Sequence, residues 1–327
     1  MDNSPQARSI LFILNDLEKQ KTSSSVDAIC IHPIWQQQGL EDHTLSAALD
    51  QLISDELVAS SEDTYALTKP GIAQLKQFKC KGCSSLLLAG ERSATSSKFC
   101  ERVYGLDLCQ FNSMSMGQLD KLLEVMNLGK DDHILELGCG VGRITEYISD
   151  LTGAKLTGVD FAAAAIDRAQ ERTQAKRERL AYQFMDMDEL RFSKDSFSGV
   201  ISIDALHFVN DLKRMIQSVQ ACLRENGQMG IFYSVVVSPG ETTDNLEPEQ
   251  TPLAKALQDY GLTFQTWDFT QDEIDIWEKI LQTAEELRPE YAAEGNLFLY
   301  ETSVSDAKPM LAAVKSGRRR RYLYHIR

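Results

Sequence analysis

The stretch ILELGCGVGRITEYI, residues 134–148, decides the fold. It opens as a short apolar strand interrupted only by Glu136. Gly138, Gly140 and Gly142 follow at once, and a helical pattern begins after them. Glycines let a backbone turn tightly and come close to a ligand at a helix start. The next strand, KLTGVD, ends on Asp160, 22 residues after Gly138. An acid there can accept hydrogen bonds from two ribose hydroxyls. The order E-L-G-C-G-V-G departs from the G-x-G-x-x-G of dinucleotide folds.

Strands and helices alternate outward from this turn. KLTGVD precedes the helix AAAAIDRAQERTQAKRERL; then come the strands AYQFMD and SGVISID, the helix DLKRMIQSVQACLRE and the strand GQMGIFYSVVV. GLTFQTWDFT and RYLYHI read as the last two strands, with the helix QDEIDIWEKILQTAEELRPEYAAEG inserted between them. Repeated strand–helix–strand units predict an α/β Rossmann-like, doubly wound sheet of seven strands, with ligands at the carboxyl ends of its strands.

Five motifs come in a recognisable order: LELGCGVGR, LTGVDFAAAAIDRA, FMDMDEL, FSGVISIDALHFV and CLRENGQMGIFYS. Over roughly residues 100–327 the chain resembles the class I S-adenosylmethionine-dependent methyltransferases. A sulfonium cofactor with an amino-acid tail does not need the close pyrophosphate approach of a dinucleotide. The resemblance implies that Gly138, Gly140 and Gly142 border the methionine part of S-adenosyl-L-methionine, with Cys139 in the same loop and Glu136 in the strand before it as further cofactor contacts. It implies that Asp160 takes the ribose hydroxyls and Phe161 flanks the adenine. Asp186 and Met187 would face the adenine amino group and ring, and Ile203 and Asp204 the methionine amine. Each also has a plain alternative: Gly142 can serve helix–sheet packing, Asp186 can cap the short helix after it, and Arg143 is as well suited to a helix surface as to closing the site.

Methyl transfer needs an aligned acceptor and sometimes a base. His207, three residues beyond Asp204, can take a proton near neutral pH. SIDALH is similar to the S-x-D-A-x-x-H stretch of methyltransferases acting on sarcosine-like amines and phosphoethanolamine, but with one spacer before the histidine instead of two. A packing role for a histidine at a helix start is the competing reading. Tyr104 is the second catalytic candidate, as a pocket-closing or hydrogen-bonding phenol. Asn112, Tyr233 and Trp277 are the expected acceptor contacts, and Gln110 and Ser113 are polar neighbours; Tyr233 reads equally as a buried strand aromatic. The loop SPGETTDNLEPEQTP would border the entrance. Covers of this kind favour a small enclosed acceptor, and the resemblance at His207 favours N- over O- or C-methylation.

Before the catalytic region, RSILFILNDLEKQ and TLSAALDQLISDELV read as amphipathic helices, with Glu41 and Asp42 suiting the second helix's start. LVASSEDTYALTKPGIAQL reads as strand, turn, strand, a Pro-Gly break and a further helix. Residues 1–79 therefore look like a winged helix-turn-helix. Residues 80–116 read as a linker that also covers the cofactor, and 117–327 as the catalytic domain. Between Lys21 and Lys69 there is no Lys or Arg against eight Asp or Glu. A recognition helix without cations lacks the phosphate contacts that supply most affinity for DNA. Dimerisation, giving a homodimer, or a lid over the substrate is the expected role instead.

The 327 residues carry a net charge of −14, which argues against nonspecific nucleic-acid binding. The RRRR run at 318–321 reads as a solvated turn before the last strand. It is the one feature that would favour tRNA or protein as acceptor, and its replacement is expected to leave activity intact. A DNA-binding regulator built on a methyltransferase fold is the other alternative. No apolar run approaches the roughly 20 residues of a membrane span, and the N-terminus lacks a secretory layout, so a cytoplasmic protein is expected. The seven cysteines are expected as thiols. CKGC at 80–83 supplies two potential zinc ligands, but a closed site needs four and the spacing to Cys100 and Cys109 is unusual, so no metal is expected.

Overall fold

The computed structural model describes residues 4–19, 22–32, 34, 35, 41 and 43–327. Asp42, expected at a helix start, lies outside the described residues. The chain divides into two compact units, Met1–Cys83 and Ser84–Arg327.

In the first unit the elements are α1 (Pro5–Lys19), α2 (Val26–Ile31), α3 (His43–Ser54), β1 (Val58–Ser61), β2 (Thr64–Leu67) and the start of α4 (Lys69–Arg92). Ile10, Ile13, Leu14 and Leu17 recur at helical spacing on α1 and are buried. They join Leu45, Leu49 and Leu52 of α3 and Trp35 in one core. β1 and β2 pair antiparallel from Val58↔Leu67 to Ser61↔Thr64. The Pro-Gly pair is not a break: Pro70 and Gly71 lie in the first turn of α4. Proline is tolerated there because its missing N–H has no partner within the helix. Gly71 is required because a Cβ would lie 1.9 Å from the Leu57 carbonyl oxygen.

Residues 80–116, read as a linker, are largely helical. α4 continues to Arg92, and α5 (Ala94–Tyr104) follows, started by the Ser93 cap on the Ser96 N–H. Phe99, Cys100, Val103 and Tyr104 form a buried stripe on α5, hidden in sequence among polar residues. Cys80 and Cys83 sit within α4, three residues apart, and neither is in a disulfide. No group of three or more metal-ligating side chains occurs among the described residues.

The remaining elements are α6 (Met116–Met126), β3 (His133–Leu137), α7 (Arg143–Thr152), β4 (Lys155–Asp160), α8 (Ala163–Arg172), β5 (Leu180–Phe184), β6 (Phe197–Ile203), α9 (Leu212–Cys222), β7 (Leu223–Val236), α10 (Pro252–Asp259), β8 (Phe264–Asp268), α11 (Thr270–Ala293), α12 (Leu297–Lys315) and β9 (Arg319–Ile326). The sequence reading assigned no element to residues 297–315; they form α12, which packs on α11. The seven strands take the order β5-β4-β3-β6-β7-β9-β8. The first five are mutually parallel, and β9 runs antiparallel to both its neighbours. The order reverses between β3 and β6, and that crevice is where ligands bind in open α/β sheets. Successive residues face opposite sides. Ile134, Leu156, Ile201, Phe232 and Leu323 meet α6, α7 and α8 on one face. Leu135, Val159, Val200, Ile231 and Tyr324 meet α9 and α10 on the other.

Candidate active site

The glycine turn is built from backbone contacts. The N–H groups of Gly138 and Cys139 both donate to the Val159 carbonyl, at 2.9 and 3.0 Å. Gly138 has φ +78° and Gly142 φ +71°, the left-handed region that favours glycine. A Cβ on Gly138 would lie 2.3 Å from the Ala205 Cβ, and one on Gly142 2.3 Å from a Tyr182 ring carbon. Both glycines are therefore fixed by packing as well as by conformation. The Tyr182 hydroxyl donates to the Gly142 carbonyl at 3.0 Å.

Asp160 ends β4 beside this turn. One carboxylate oxygen accepts the Gly140 N–H and the other the Ala162 N–H, each at 2.8 Å. Every carboxylate oxygen has two acceptor positions, so capacity for further hydroxyl donors remains. Burial raises the Asp160 pKa, with the backbone N–H groups opposing. Glu136, inside β3, is buried and receives a short hydrogen bond from Thr145 of α7. Burial pushes it up to about 7, against the Thr145 bond and with help from the Asp160 charge. Cys139 is buried, and burial holds its thiol well above the ordinary value.

Glu91, which the sequence reading did not single out, ties the end of α4 to the helices behind the turn. Its buried carboxylate lies 2.6 Å from Arg168, 3.3 Å from Arg172 and 3.5 Å from Arg143. Arg143 is thus part of an ion cluster rather than a free surface cation.

Phe161 is half-buried, and its ring centroid lies 5.6 Å from that of Phe208. Asp186 caps the short turn Met187–Glu189 by accepting the Asp188 N–H at 3.0 Å, the plain role weighed for it. Met187 packs into the core. Asp188 accepts both the backbone and side-chain N–H of Asn210, at 2.9 and 2.5 Å, joining the end of β5 to the loop after β6.

At the end of β6, Ile203 is buried and Asp204 takes φ +53°. Asp204 Oδ1 meets Arg321 in a short ion pair, and Oδ2 accepts the Ser113 N–H at 3.1 Å. Burial alone would raise the Asp204 pKa; the charge and hydrogen bond of Arg321, the Ser113 N–H and the Arg319 charge together hold it below the ordinary value. The RRRR run is therefore not a solvated turn. Arg319–Arg321 begin β9, and Arg321 is fully buried. Its Nε donates to Gln118 Oε1 at 3.2 Å, and its guanidinium lies 4.8 Å from the Phe232 ring centroid. Arg319 grips the buried Glu273 of α11 through Nε and Nη2, at 2.9 and 2.8 Å. The Ser113 hydroxyl lies between the two acids, 3.4 Å from Asp204 and 3.3 Å from Glu273.

The burial of Arg321 is what overturns the solvated-turn reading. Removing one partner of a buried pair leaves an uncompensated charge, at about 3–5 kcal/mol. One signal pointed to it: RYLYHI alternates, so Arg321 shares a face with core-facing Leu323, and an inward charge demands a partner.

The two catalytic candidates differ sharply. Tyr104 is buried among Phe99, Trp277 and Tyr291. Burial, with Cys100, Tyr291 and Asp204 adding, holds its phenol protonated far above neutrality. It can donate a hydrogen bond and is unsuited to act as a base. His207 is exposed on the short turn Leu206–Phe208, its ring 4.0 Å from that of Phe208. Asn112 Oδ1 accepts the Met114 N–H at 3.0 Å and so shapes its own loop. Trp277 is buried, with the Arg319 guanidinium 5.9 Å from its ring. Tyr233 faces the α9–α10 side of the sheet, while its neighbour Ser234 meets Arg321 on the other. Burial raises its phenol to about 12. The entrance loop is pinned to that same side, where Tyr322 and Tyr324 donate to the Leu246 and Pro248 carbonyls at 2.9 and 2.6 Å.

A parallel sheet with an antiparallel final pair, a glycine turn after its central strand and an acid ending the next strand define a class I methyltransferase fold. Residues 134–227 match the methyltransferase domain family. An O-methyltransferase (resE) of Aspergillus sclerotiorum is 29% identical over 101 residues, 30% of this chain and 38% of that protein. A ubiquinone biosynthesis O-methyltransferase of Coxiella burnetii is 29% identical over 116 residues, 36% of this chain and 48% of its own length. The chain thus spans less than half the length of these curated relatives. Among solved structures, phosphoethanolamine N-methyltransferase 2 of Haemonchus contortus, in complex with phosphomonomethylethanolamine and S-adenosylhomocysteine, shares the fold at TM-score 0.58 and 17% identity, over 71% of this chain and 56% of that one. Geranyl diphosphate C-methyltransferase of Streptomyces coelicolor does so at TM-score 0.51 and 18% identity, over 65% and 77%. No helix among the described residues is long and apolar enough to cross a membrane.

Proposed function

We propose that this chain transfers a methyl group from S-adenosyl-L-methionine to a small acceptor. The observation that carries the reading is the Asp160 carboxylate held by the Gly140 and Ala162 N–H groups beside two glycines that tolerate no Cβ. These residues fit the cofactor. Asp160 keeps acceptor positions for ribose hydroxyls, and the glycine turn after β3 would border the methionine part, with Cys139 in the turn and Glu136 in the strand before it. Phe161 and Met187 would bound the adenine, with Asp186 at its amino group. Ionised Asp204, beside Ile203, would meet the methionine ammonium. When bound, the cofactor supplies an electrophilic methyl group. The chain's own residues orient the acceptor and exclude water.

The acceptor side would be formed by Trp277, Asn112 and Tyr104, with Tyr233 on the far face contributing shape. Tyr104 acts as a donor, since burial keeps it protonated. His207 is the group left for proton removal. N-methylation is the reading we favour over O- or C-methylation, on the SIDALH stretch. The N-terminal unit serves dimerisation or substrate covering, and its acidic surface does not suit nucleic acid.

Thermal unfolding tests the cofactor: S-adenosylmethionine should raise Tm and NAD should not. A rise with NAD alone would overturn the reading. Sedimentation of the full chain tests the dimer.

A further inference from the structure

The carboxyl edge of the sheet holds more hydrogen-bond donors than its own acceptors can use. Arg321 Nη2 is buried without a partner, and so is Nε2 of Gln118, although Gln118 Oε1 already receives the Arg321 Nε–H. Trp277 Nε1 is a third such donor. The charges do not resolve this. Arg319 takes Glu273, and Asp204 engages Arg321 through Oδ1 alone, its Oδ2 being turned to Ser113. The Phe232 ring centroid lies 4.8 Å from the guanidinium carbon, and Nη2 keeps no partner of its own. A guanidinium edge with one free N–H, beside a free amide N–H, matches the two oxygens of a carboxylate.

We propose that the methyl acceptor carries a carboxylate, which docks on Arg321 Nη2 and Gln118 Nε2. This rests on the methyltransferase reading above and adds the chemical class of the acceptor. The cofactor's own methionine carboxylate is the competing source of the same group, and the test separates the two.

The experiment follows thermal unfolding of the full chain saturated with S-adenosylhomocysteine and titrated with sodium formate, the smallest carboxylate. Sodium chloride at equal ionic strength and formamide serve as controls. A saturable rise in Tm with formate alone is expected. Gln118→Met, and Arg321→Lys, which keeps a cation on Asp204, should weaken that response at least tenfold while still responding to S-adenosylhomocysteine, which also shows that they fold. No saturable formate response in the wild-type chain, or an equal response in wild type and both variants, overturns the proposal. So does loss of the S-adenosylhomocysteine response in both variants with the formate response intact, since the donors would then hold the cofactor. If S-adenosylhomocysteine fails to stabilise the wild-type chain, the methyltransferase reading itself has failed and takes this proposal with it.

Discussion

Arg321, on the last strand, closes on the carboxylate of Asp204, 117 residues earlier at the end of β6. Two strands that are not adjacent in the sheet are thereby joined across β7, and Ser234 of β7 receives an Arg321 N–H at 3.3 Å. Asp204 is the residue proposed to meet the methionine ammonium, and its charge state is set by a residue outside the motif. Removing the positive charge at Arg321 therefore acts on both stability and the site.

Replacing Arg321 by Met leaves Asp204 with an unmatched, nearly buried charge. A loss of roughly 3–5 kcal/mol is expected, seen as a fall in Tm of roughly 10 °C. Arg320→Met is the control. That side chain is partly exposed and its Nη1 meets only the Arg319 carbonyl, so a change within about 0.5 kcal/mol is expected. Equal responses to the two substitutions would contradict the burial argument.

Gly138→Ala combines a left-handed φ with a Cβ 2.3 Å from that of Ala205. Overpacking and strain together should cost about 2–3 kcal/mol and abolish the stabilisation by S-adenosylhomocysteine. Gly129→Ala, where a Cβ meets nothing within 4 Å, should behave as wild type. A normal cofactor response in Gly138→Ala would show that the turn does not border the ligand.

Glu136 gives a pH signature. Its pKa is raised by burial from 4.5 to about 7. The folded chain holds this proton where the unfolded chain has released it, so stability falls as pH rises between those values. The difference corresponds to about 3 kcal/mol. Glu136→Gln lacks the titration and can still accept the Thr145 hydrogen bond. Its stability relative to wild type should rise by about that amount from pH 4 to pH 8, measured by urea unfolding. A constant difference across that range would rule out a buried, titrating Glu136.

The two catalytic candidates are separable kinetically. His207→Gln should lower kcat by a factor of about 10²–10⁴ if the imidazole removes a proton and flatten the rate profile between pH 5 and 8. Tyr104→Phe removes a donor that stays protonated over that range, so it should lower the rate without moving the profile. A fall of less than about threefold in His207→Gln would leave the exposed histidine without a catalytic role.

The local parts of this molecule were readable from the chain. Strand–glycine–helix alternation is a matter of residues a few places apart, and the acid after KLTGVD is reached by counting. α5 was missed because its apolar stripe is thin and set among Thr, Ser, Lys and Glu; it becomes a helix because α11, which starts 176 residues after it, supplies the surface that buries it. α12 is anchored in the same way. By itself the sequence determined the sheet and the turn, because backbone conformation and hydrophobic period are local properties. Only the tertiary structure decided that Arg321 and Glu273 are inside, that Tyr104 keeps its proton and that His207 faces outward. Burial and charge pairing depend on which distant residues come into contact, and the cost of an unpaired charge inside a protein is felt only once the chain has closed around it.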